Sequence, residues 1–301
     1  MDFAERAKLK AQLRQQVEDE YGKRAREHRV KVHTINARRR YRKANKLKAA
    51  KQPLDFLAIG DSWFDYPLND YGIPWPNQDI VAKLKTIGNP HPIGLSLAVH
   101  GNPMTTTMGL ADQMQYVSDL ADSSQWVNGS PDAILVSGGG DDVVGDQFII
   151  YLDYFGGGLS SRIQGAVDSV EASYQALFDF RNLYAPDTPI FGHCYDYAIP
   201  NGMGVFFQGP WLQPPLNFAH YDYAQGLTIV QNAIDRLYAM LNGLASVKKN
   251  KYYLVDTRGT LTRDSSQPLG WANEIHPYSA GFLALAQKFV PVLQSVFPGR
   301  I

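Results

Sequence analysis

Short apolar runs alternate with longer amphipathic stretches along the chain from residue 54 to the C-terminus. The runs have the length and the composition of buried strands, whereas the stretches between them carry apolar residues at helical spacing. Buried strands that alternate with helices are typical of a parallel sheet that is covered on both faces. We therefore predict an α/β fold, a three-layer α/β/α sandwich around a mostly parallel five-stranded sheet. The predicted strands cover residues 54–59, 93–99, 133–136, 190–191 and 252–255, and the predicted helices cover residues 78–87, 106–120, 160–184, 221–244 and 279–297.

The first 51 residues differ from the rest of the chain in both pattern and charge. Residues 3–48 contain no proline and one glycine, so their helix propensity is high, but their apolar stripe is patchy. Residues 1–51 carry 17 Lys and Arg against 6 Asp and Glu, whereas residues 52–301 carry 12 against 23. The zero net charge of the whole chain thus conceals a basic helical arm (1–51) attached to an acidic domain (52–301).

The charge of the arm leaves several partners open. An anionic membrane surface or an anionic polymer such as a nucleic acid would be attracted to it. The acidic face of the same protein would be attracted as well. A helical extension that is simply solvated is the remaining interpretation, because runs of charge are often solvated faces.

The composition is that of a globular protein. Of the 301 residues, 45% are apolar and 19% are charged, which is enough to build a buried core. No apolar stretch is long enough to span a membrane, and the N-terminus lacks the apolar core of a secretory signal peptide. The single cysteine, Cys194, excludes an intramolecular disulfide. We expect a cytoplasmic protein by default, and we leave open both the oligomeric state and export without a signal peptide.

Residues 195–225 differ in composition from the rest of the predicted domain. They are rich in aromatic residues, proline and glycine, and the segment is too long for a simple connection between a strand and a helix. Long structured loops of this kind often cover functional sites. We predict an aromatic-rich insert that lies over the carboxyl ends of the strands.

Chemically active residue types follow the predicted strands. Gly60-Asp61-Ser62 follows the first strand, His100-Gly101 follows the second, and Gly139-Gly140-Asp141-Asp142 follows the third. A fourth block, Asn273-Glu274-Ile275-His276, precedes the last helix. Because ligands of parallel sheets bind beyond the carboxyl ends of the strands, we expect the four blocks to meet at one edge of the sheet. Each block alone also has a structural interpretation, such as a helix N-cap role for Ser62.

In their order and positions, the four blocks resemble those of the SGNH hydrolases, also called the GDSL lipase and esterase superfamily. The resemblance implies a flavodoxin-like fold and a serine ester hydrolase. We expect neither a cofactor nor a metal, because histidines at zinc-ligand spacing are absent and the adjacent Asp141 and Asp142 alone are poor evidence for a metal site. It implies that Ser62 is the nucleophile, that His276 is the general base, and that Asn273 occupies the third position of the catalytic triad. Gly101 and Asp141 then fall at the oxyanion hole. In the implied mechanism His276 takes the proton of Ser62, and water later hydrolyses the acyl-enzyme.

The sequence departs from the family pattern at two of these positions. Asp141 stands where the family has an asparagine that donates a hydrogen bond to the oxyanion, and an ionised carboxylate cannot donate one. A second carboxyl group at Asp142 would raise the pKa of Asp141 and favour its protonated form. Asn273 stands where the family has an aspartate, so it can orient a histidine but adds no charge. The neighbouring Glu274 is the alternative partner for His276.

Aromatic residues near Ser62 and in the insert are the candidate walls of a substrate pocket. They suggest an acyl ester with a lipid-like or aryl group, although core packing also explains aromatic residues. A carbohydrate O-acetyl esterase is an alternative, because exposed aromatic rings also stack on sugars. Two other hypotheses are a catalytically weakened binding protein with the same fold, and a scaffold or membrane adapter whose function lies in the arm. The pocket candidates are Trp63, Tyr66, Phe206, Phe207 and Trp211.

Overall fold

The structure of the protein, a computed structural model, describes residues 3–75, 78–205 and 208–301. Its strands are β1 (Asp55–Gly60), β2 (Ile93–Ser96), β3 (Ala133–Ser137), β4 (Leu152–Asp153), β5 (Gly158–Leu159), β6 (Ile190–His193) and β7 (Tyr252–Val255). Five of them form a central sheet in the order β2-β1-β3-β6-β7, and every neighbouring pair in it is parallel. The strands β4 and β5 form a separate antiparallel pair.

Helices connect the strands and enclose the sheet. They are α1 (Phe3–Ala44), α2 (Ile80–Leu84), α3 (Met104–Thr107), α4 (Leu110–Ala121), α5 (Gly140–Val144), α6 (Arg162–Tyr184), α7 (Gln213–Phe218), α8 (Tyr223–Ser246) and α9 (Ser279–Val296). The helix α2 packs against α9, and α6 packs against α8, which gives one helix layer on each face of the sheet. The predicted three-layer α/β/α sandwich is therefore confirmed.

The strands of the central sheet are mostly apolar because both faces of the sheet are covered. Every residue of β1, β2, β3 and β6 is buried. This explains why the sequence shows continuous apolar runs instead of the alternation typical of a half-exposed strand. The chain reverses its direction of travel across the sheet between β2 and β3, so the crevice where a ligand would bind opens at the carboxyl ends of β1 and β3.

Several elements differ from the sequence-based expectation. The predicted helix over residues 106–120 is divided into α3 and α4. The helix α5, the β4–β5 pair and the helix α7 were not predicted, because each is too short to show a period in the sequence. The helix α7 and the start of α8 lie inside the predicted insert at residues 195–225, so this segment is partly helical.

The helix α1 packs along β2, the strand at one edge of the central sheet. Val32 of this helix packs against Ile93 of β2, and His28 lies 2.8 Å from a carboxylate oxygen of Asp55 at the start of β1. A helix that covers an edge strand prevents the strand from pairing with another chain. The arm therefore contacts acidic groups of its own domain, which is one of the partners considered for it: His28 contacts Asp55 and Arg24 contacts Asp65.

The basic residues after His28 are mostly solvated. The side chains of Arg38, Arg40, Lys43 and Lys46 are exposed. A further anionic partner for these residues remains a prediction. The predicted boundary at residue 51 falls in the irregular segment between α1 and β1. In the described residues, no helix combines the length and the apolar character needed to cross a lipid bilayer.

Replacing His28 with Phe is expected to destabilise the protein by about 1–3 kcal/mol, because the buried carboxylate of Asp55 would lose a hydrogen-bond donor. Phe retains a ring that can pack against Trp126, whose ring lies 5.3 Å from that of His28. Urea unfolding followed by fluorescence measures the loss. His33→Phe, on an exposed position of the same helix, is the matched control. Equal unfolding midpoints for the two variants would contradict a stabilising role of the buried pair.

Candidate active site

Ser62 follows β1 at the crevice in the sheet. Gly60 ends the strand with a φ of +130°, and a Cβ atom there would lie 1.9 Å from the carbonyl oxygen of Ser137. Only glycine fits such a close approach, and the turn it permits carries Ser62 out of the sheet. Ser62 is 5% exposed and lines an open pocket of about 370 Å³.

The ring of His276 reaches Ser62 from the loop before α9. Its Nε2 atom lies 2.7 Å from Ser62 Oγ, and its Nδ1 atom lies 3.0 Å from Asn273 Oδ1. The same amide oxygen accepts the backbone N–H groups of Ile275 and His276, and the amide nitrogen donates to the hydroxyl of Tyr66. Because Asn273 Oδ1 acts as an acceptor, the proton of a neutral imidazole lies on Nδ1. The lone pair on Nε2 is then free to accept the hydroxyl proton of Ser62.

Aromatic rings enclose His276. Tyr66 stacks on it with ring centres 4.5 Å apart, and Trp211 approaches it edge to face at 6.1 Å. Burial lowers the pKa of His276 to about 3, and the charge of His100 adds to this effect. The ring is therefore neutral near pH 7. Its orientation is set by a neutral amide and by stacking, without a carboxylate partner.

Glu274, the alternative partner of His276, binds elsewhere. Its carboxylate accepts backbone N–H groups from Gly202, Leu212 and Gln213 at 3.0, 2.5 and 2.8 Å. All three donors belong to the insert. The expectation that Glu274 orients His276 is wrong, because its side chain points away from Asn273 and into the insert. It instead ties the insert to the loop that carries His276.

Gly101 and Asp141 lie on the same pocket as Ser62. Gly101 has a φ of +71°, and a Cβ atom built on it would meet open space, so glycine is required there by the backbone and not by crowding. The Oδ2 atom of Asp141 is buried and has no hydrogen-bond partner among the described residues. Burial, and then repulsion by Asp61 and Asp142, raise the pKa of Asp141 well above that of an ordinary aspartate.

A buried chain of polar groups beneath Ser62 was not found from the sequence. His193 donates from Nε2 to Ser137 Oγ, since its Nδ1 atom accepts the backbone N–H of Tyr195. Ser137 donates in turn to Asp61 Oδ1 at 2.5 Å, and the hydroxyl of Tyr195 donates to Asp61 Oδ2. Burial lowers the pKa of His193 to about 3. Burial also raises the pKa of Asp61 to about 6, although these donors oppose the rise.

The signal for this chain was present but weak. Asp61 stands inside the first block, and Ser137 and His193 stand at the ends of β3 and β6. Positions at the carboxyl ends of adjacent parallel strands are expected to be neighbours. What the sequence does not reveal is that the Ser137 and His193 side chains are fully buried.

The pocket is lined by both apolar and polar side chains. Tyr66 and Trp211 line it as expected, but Trp63 does not. The indole of Trp63 is buried behind the site, where it donates to the carbonyl of Ile275 and stacks on His193. Phe206 and Phe207 lie outside the described residues. The other lining residues are Pro67, Leu68, His100, Pro103, Gly145, Asp146, Gln147, Val205, Gln208, Gly209 and Ile275.

The chain was compared with known proteins. No protein-family model and no curated protein sequence matches it. Its structure is similar to that of the lipase Lip_vut3 from a goat rumen metagenome, with a TM-score of 0.52 and 15% identity, over 79% of this chain and 96% of that one. A catalytic mutant of an acetylxylan esterase from Geobacillus stearothermophilus gives a TM-score of 0.48 at 16% identity, over 81% of this chain and 95% of that one. An extracellular lipase from Streptomyces rimosus gives 0.46 at 16% identity, over 80% and 98%.

At such low identity the similarity to the lipase from the goat rumen metagenome shows a shared fold. The flavodoxin-like fold that the resemblance to SGNH hydrolases implied is thereby confirmed. Within the described ranges, no cluster of three or more His, Cys, Asp or Glu side chains is arranged to hold a metal ion.

The ring of His276 is expected to remain neutral far below the pH at which an ordinary histidine is protonated. With a pKa of about 3, its NMR signals should not shift between about pH 8 and about pH 4.5, whereas an unperturbed histidine titrates near about pH 6.5. The folded-state pKa lies below the unfolded value, so the neutral ring stabilises the fold above about pH 6.5, and this contribution is lost as the pH falls toward 3. His276→Gln identifies the signal, and a titration in denaturant is the control. A midpoint near 6.5 in the folded protein would contradict the burial described for the ring.

Proposed function

We propose that the protein is a serine ester hydrolase that works through an acyl-enzyme. The observation that carries the proposal is the 2.7 Å contact between Ser62 Oγ and His276 Nε2 at the floor of an open pocket. A serine hydroxyl is a weak nucleophile until a base accepts its proton. Here the base is neutral and has its lone pair on the nitrogen that faces the hydroxyl.

In the proposed reaction, Ser62 Oγ attacks the carbonyl carbon of the ester while its proton passes to His276 Nε2. The carbonyl oxygen becomes an oxyanion. His276 then gives the proton to the leaving alcohol, and the acyl group remains on Ser62. Water repeats the sequence on the acyl-enzyme, with His276 again as base, and releases the acid.

Asn273 makes this triad a neutral one. Its amide oxygen fixes the Nδ1–H tautomer, as an aspartate would, but it does not stabilise the imidazolium that forms during the reaction. The stacked ring of Tyr66 replaces water on one face of His276 and adds no compensating charge. The chemical step is therefore expected to be slower than with an aspartate at this position.

Asp141 is proposed to donate a hydrogen bond to the oxyanion in its protonated form. Its unpartnered Oδ2 atom and its raised pKa support a neutral acid near pH 7, held so by burial and by the nearby charge of Asp61. A carboxylic acid kept neutral by its site has an O–H group to donate. The backbone N–H groups of Ser62 and Gly101 are the other proposed donors, and neither donates to another group in the described part of the chain.

The side chains that line the pocket suggest how an ester would lie. Pro67, Leu68 and Trp211 offer an apolar surface for the acyl group, and Asp146 and Gln147 offer polar groups to the alcohol. A volume of about 370 Å³ is near the lower end for ligand pockets. We therefore propose a short acyl group on a polar or aryl alcohol. A long lipid chain, suggested by the aromatic residues of the sequence, fits this volume less well.

Replacing Ser62 with Ala is expected to lower ester turnover by at least about 10³-fold, because the nucleophile is removed. The assay uses p-nitrophenyl esters from acetate to palmitate. Acetate and butyrate should be hydrolysed faster than palmitate because the pocket is small. A fluorophosphonate should label the wild-type protein and leave the Ser62 variant unlabelled.

Ser169→Ala is the matched control for that experiment, since Ser169 lies on the exposed face of α6 and its hydroxyl donates to the carbonyl of Gly165, away from the pocket. It should be labelled like the wild type. A wild-type protein that is folded but neither labelled nor active would overturn the proposed hydrolase. That result would favour a catalytically weakened binding protein.

Replacing Asp141 with Asn is expected to abolish the loss of activity at alkaline pH. In the wild type, kcat/KM should fall as the pH rises through the raised pKa of Asp141, because the carboxylate cannot donate and repels the oxyanion. The amide of asparagine donates at every pH. Asp141→Ala should lose about 10²–10³-fold of kcat throughout.

The measurement is kcat/KM from about pH 6 to about pH 10. Asp146→Asn makes the same chemical change at an exposed pocket position and should keep the alkaline limb, displaced to lower pH because the charge of Asp146 contributes to the raised pKa of Asp141. Identical alkaline limbs for the wild type and Asp141→Asn would show that Asp141 does not act as the donor.

A further inference from the structure

Arg24 on α1 contacts the loop that carries Gly101. Its guanidinium donates to the carbonyl oxygen of Ala98, just after β2, at 3.0 Å. It lies 3.5 Å from the carbonyl oxygen of Ser96, the last residue of that strand. A second nitrogen donates to Asp65 Oδ1 at 2.5 Å. The Arg24 side chain is 20% exposed and that of Asp65 is 15% exposed, so the ion pair is largely withdrawn from water.

Asp65 joins Arg24 to both sides of the candidate active site. Its Oδ2 atom accepts the backbone N–H of His100 at 3.2 Å and lies 3.1 Å from the ring nitrogen Nδ1 of the same residue. The backbone N–H of Asp65 donates to the carbonyl of Ser62. One residue therefore connects the turn of Ser62 through its backbone, and the residue before Gly101 and the N-terminal helix through its carboxylate.

The orientation of the Gly101 N–H depends on this arrangement. The peptide bond between His100 and Gly101 is held on its N-terminal side by the two contacts of His100 with Asp65. Gly101 itself has a left-handed φ of +71° and meets no neighbouring atom on its Cβ side, so its own surroundings do little to fix it. An oxyanion donor must be held in place before the reaction if it is to lower the barrier.

Arg24 is needed to hold Asp65. Burial alone would raise the pKa of Asp65, but the hydrogen bond to His100 and the charge of Arg24 outweigh burial and lower it. Without Arg24 the carboxylate would keep only its contacts with His100 in a poorly hydrated position. Either water would enter or Asp65 would turn outward, and both changes would release His100.

We propose that Arg24 is a positioning residue for the oxyanion loop, acting through Asp65 and His100, and that the N-terminal helix is therefore part of the catalytic apparatus. The inference rests on the proposed ester hydrolase. It assigns to the helix a role distinct from attraction of an external anionic partner. Arg24 does not line the pocket of Ser62, so it would act through the position of the loop that carries Gly101.

The test compares Arg24→Gln, Arg24→Lys and Arg39→Gln in the full chain, with p-nitrophenyl acetate as substrate. Arg24→Gln should lower kcat by about tenfold to a hundredfold and change KM by less than about threefold, because the transition state is affected more than binding. Arg24→Lys should restore part of kcat, since a lysine keeps the charge beside Asp65 but lacks the planar fork.

Arg39→Gln is the matched control. Arg39 is also on α1 and also donates to the domain, at the carbonyl of Val127, but that contact lies away from Asp65 and the loop that carries Gly101. Its kcat should stay within about twofold of the wild type. An equal loss in both arginine variants would mean that docking of the helix in general matters, and it would overturn the specific role of Arg24.

Amide hydrogen exchange provides a readout that does not depend on activity. Exchange across residues 97–103 should be faster in Arg24→Gln than in the wild type or Arg39→Gln, with global stability measured alongside. If the wild type hydrolyses no ester, the proposed function fails. The exchange experiment still tests whether Arg24 holds the loop of Gly101 through Asp65 and His100. Unchanged kcat, or unchanged exchange in this loop, in Arg24→Gln overturns the inference.

Discussion

A hydrogen bond of 2.7 Å joins two side chains that are 214 positions apart in the sequence, Ser62 and His276, and much of the surrounding structure serves to make that contact. The close approach of Gly60 to β3 sets the direction in which Ser62 leaves the sheet. The amide of Asn273 and the ring of Tyr66 fix His276 from the other side. Because both groups are neutral, the site achieves orientation without the charge that would stabilise a protonated histidine. A carboxylate partner would both orient His276 and raise its basicity, whereas the amide of Asn273 only orients it.

Negative charge is concentrated one layer deeper, at Asp61. This carboxylate accepts hydrogen bonds from the hydroxyls of Ser137 and Tyr195 and from the backbone N–H of Trp63. These bonds favour its ionised form and oppose the effect of burial. Its neighbour Asp141 has no such donors, and its pKa is raised in part by Asp61. The two aspartates thus differ in hydrogen bonding, and the pKa of Asp141, whose Oδ2 atom lacks a donor in the described part of the chain, is raised by burial and by repulsion from Asp61.

The sequence predicted those parts of the structure that local pattern determines. Continuous burial made the strands visible, and β7 was predicted with its observed ends at Tyr252 and Val255. The pairing of Ser62 with His276 was implied by the resemblance to SGNH hydrolases, whereas the rule for parallel strands predicted only that their two blocks share one edge of the sheet. The position of Trp63 could not be predicted, because whether an aromatic ring after a strand points to the pocket or to the core depends on packing by α9 and the last loop. The contacts of Glu274 also escaped prediction, since its partners are backbone N–H groups, which every sequence contains.

Glu274 has a consequence for how this protein could change. Its carboxylate accepts the backbone N–H groups of Gly202 and Leu212, which lie at the two ends of one segment of the insert. Its own backbone continues directly to Ile275 and His276. The pocket-lining residues Val205 and Gln208 lie between these two hydrogen-bonded residues. Both ends of this segment are therefore fixed to the loop that carries His276. Substitutions at Val205 or Gln208 would therefore change the lining of the pocket while both ends of the segment stay attached to the loop that carries His276.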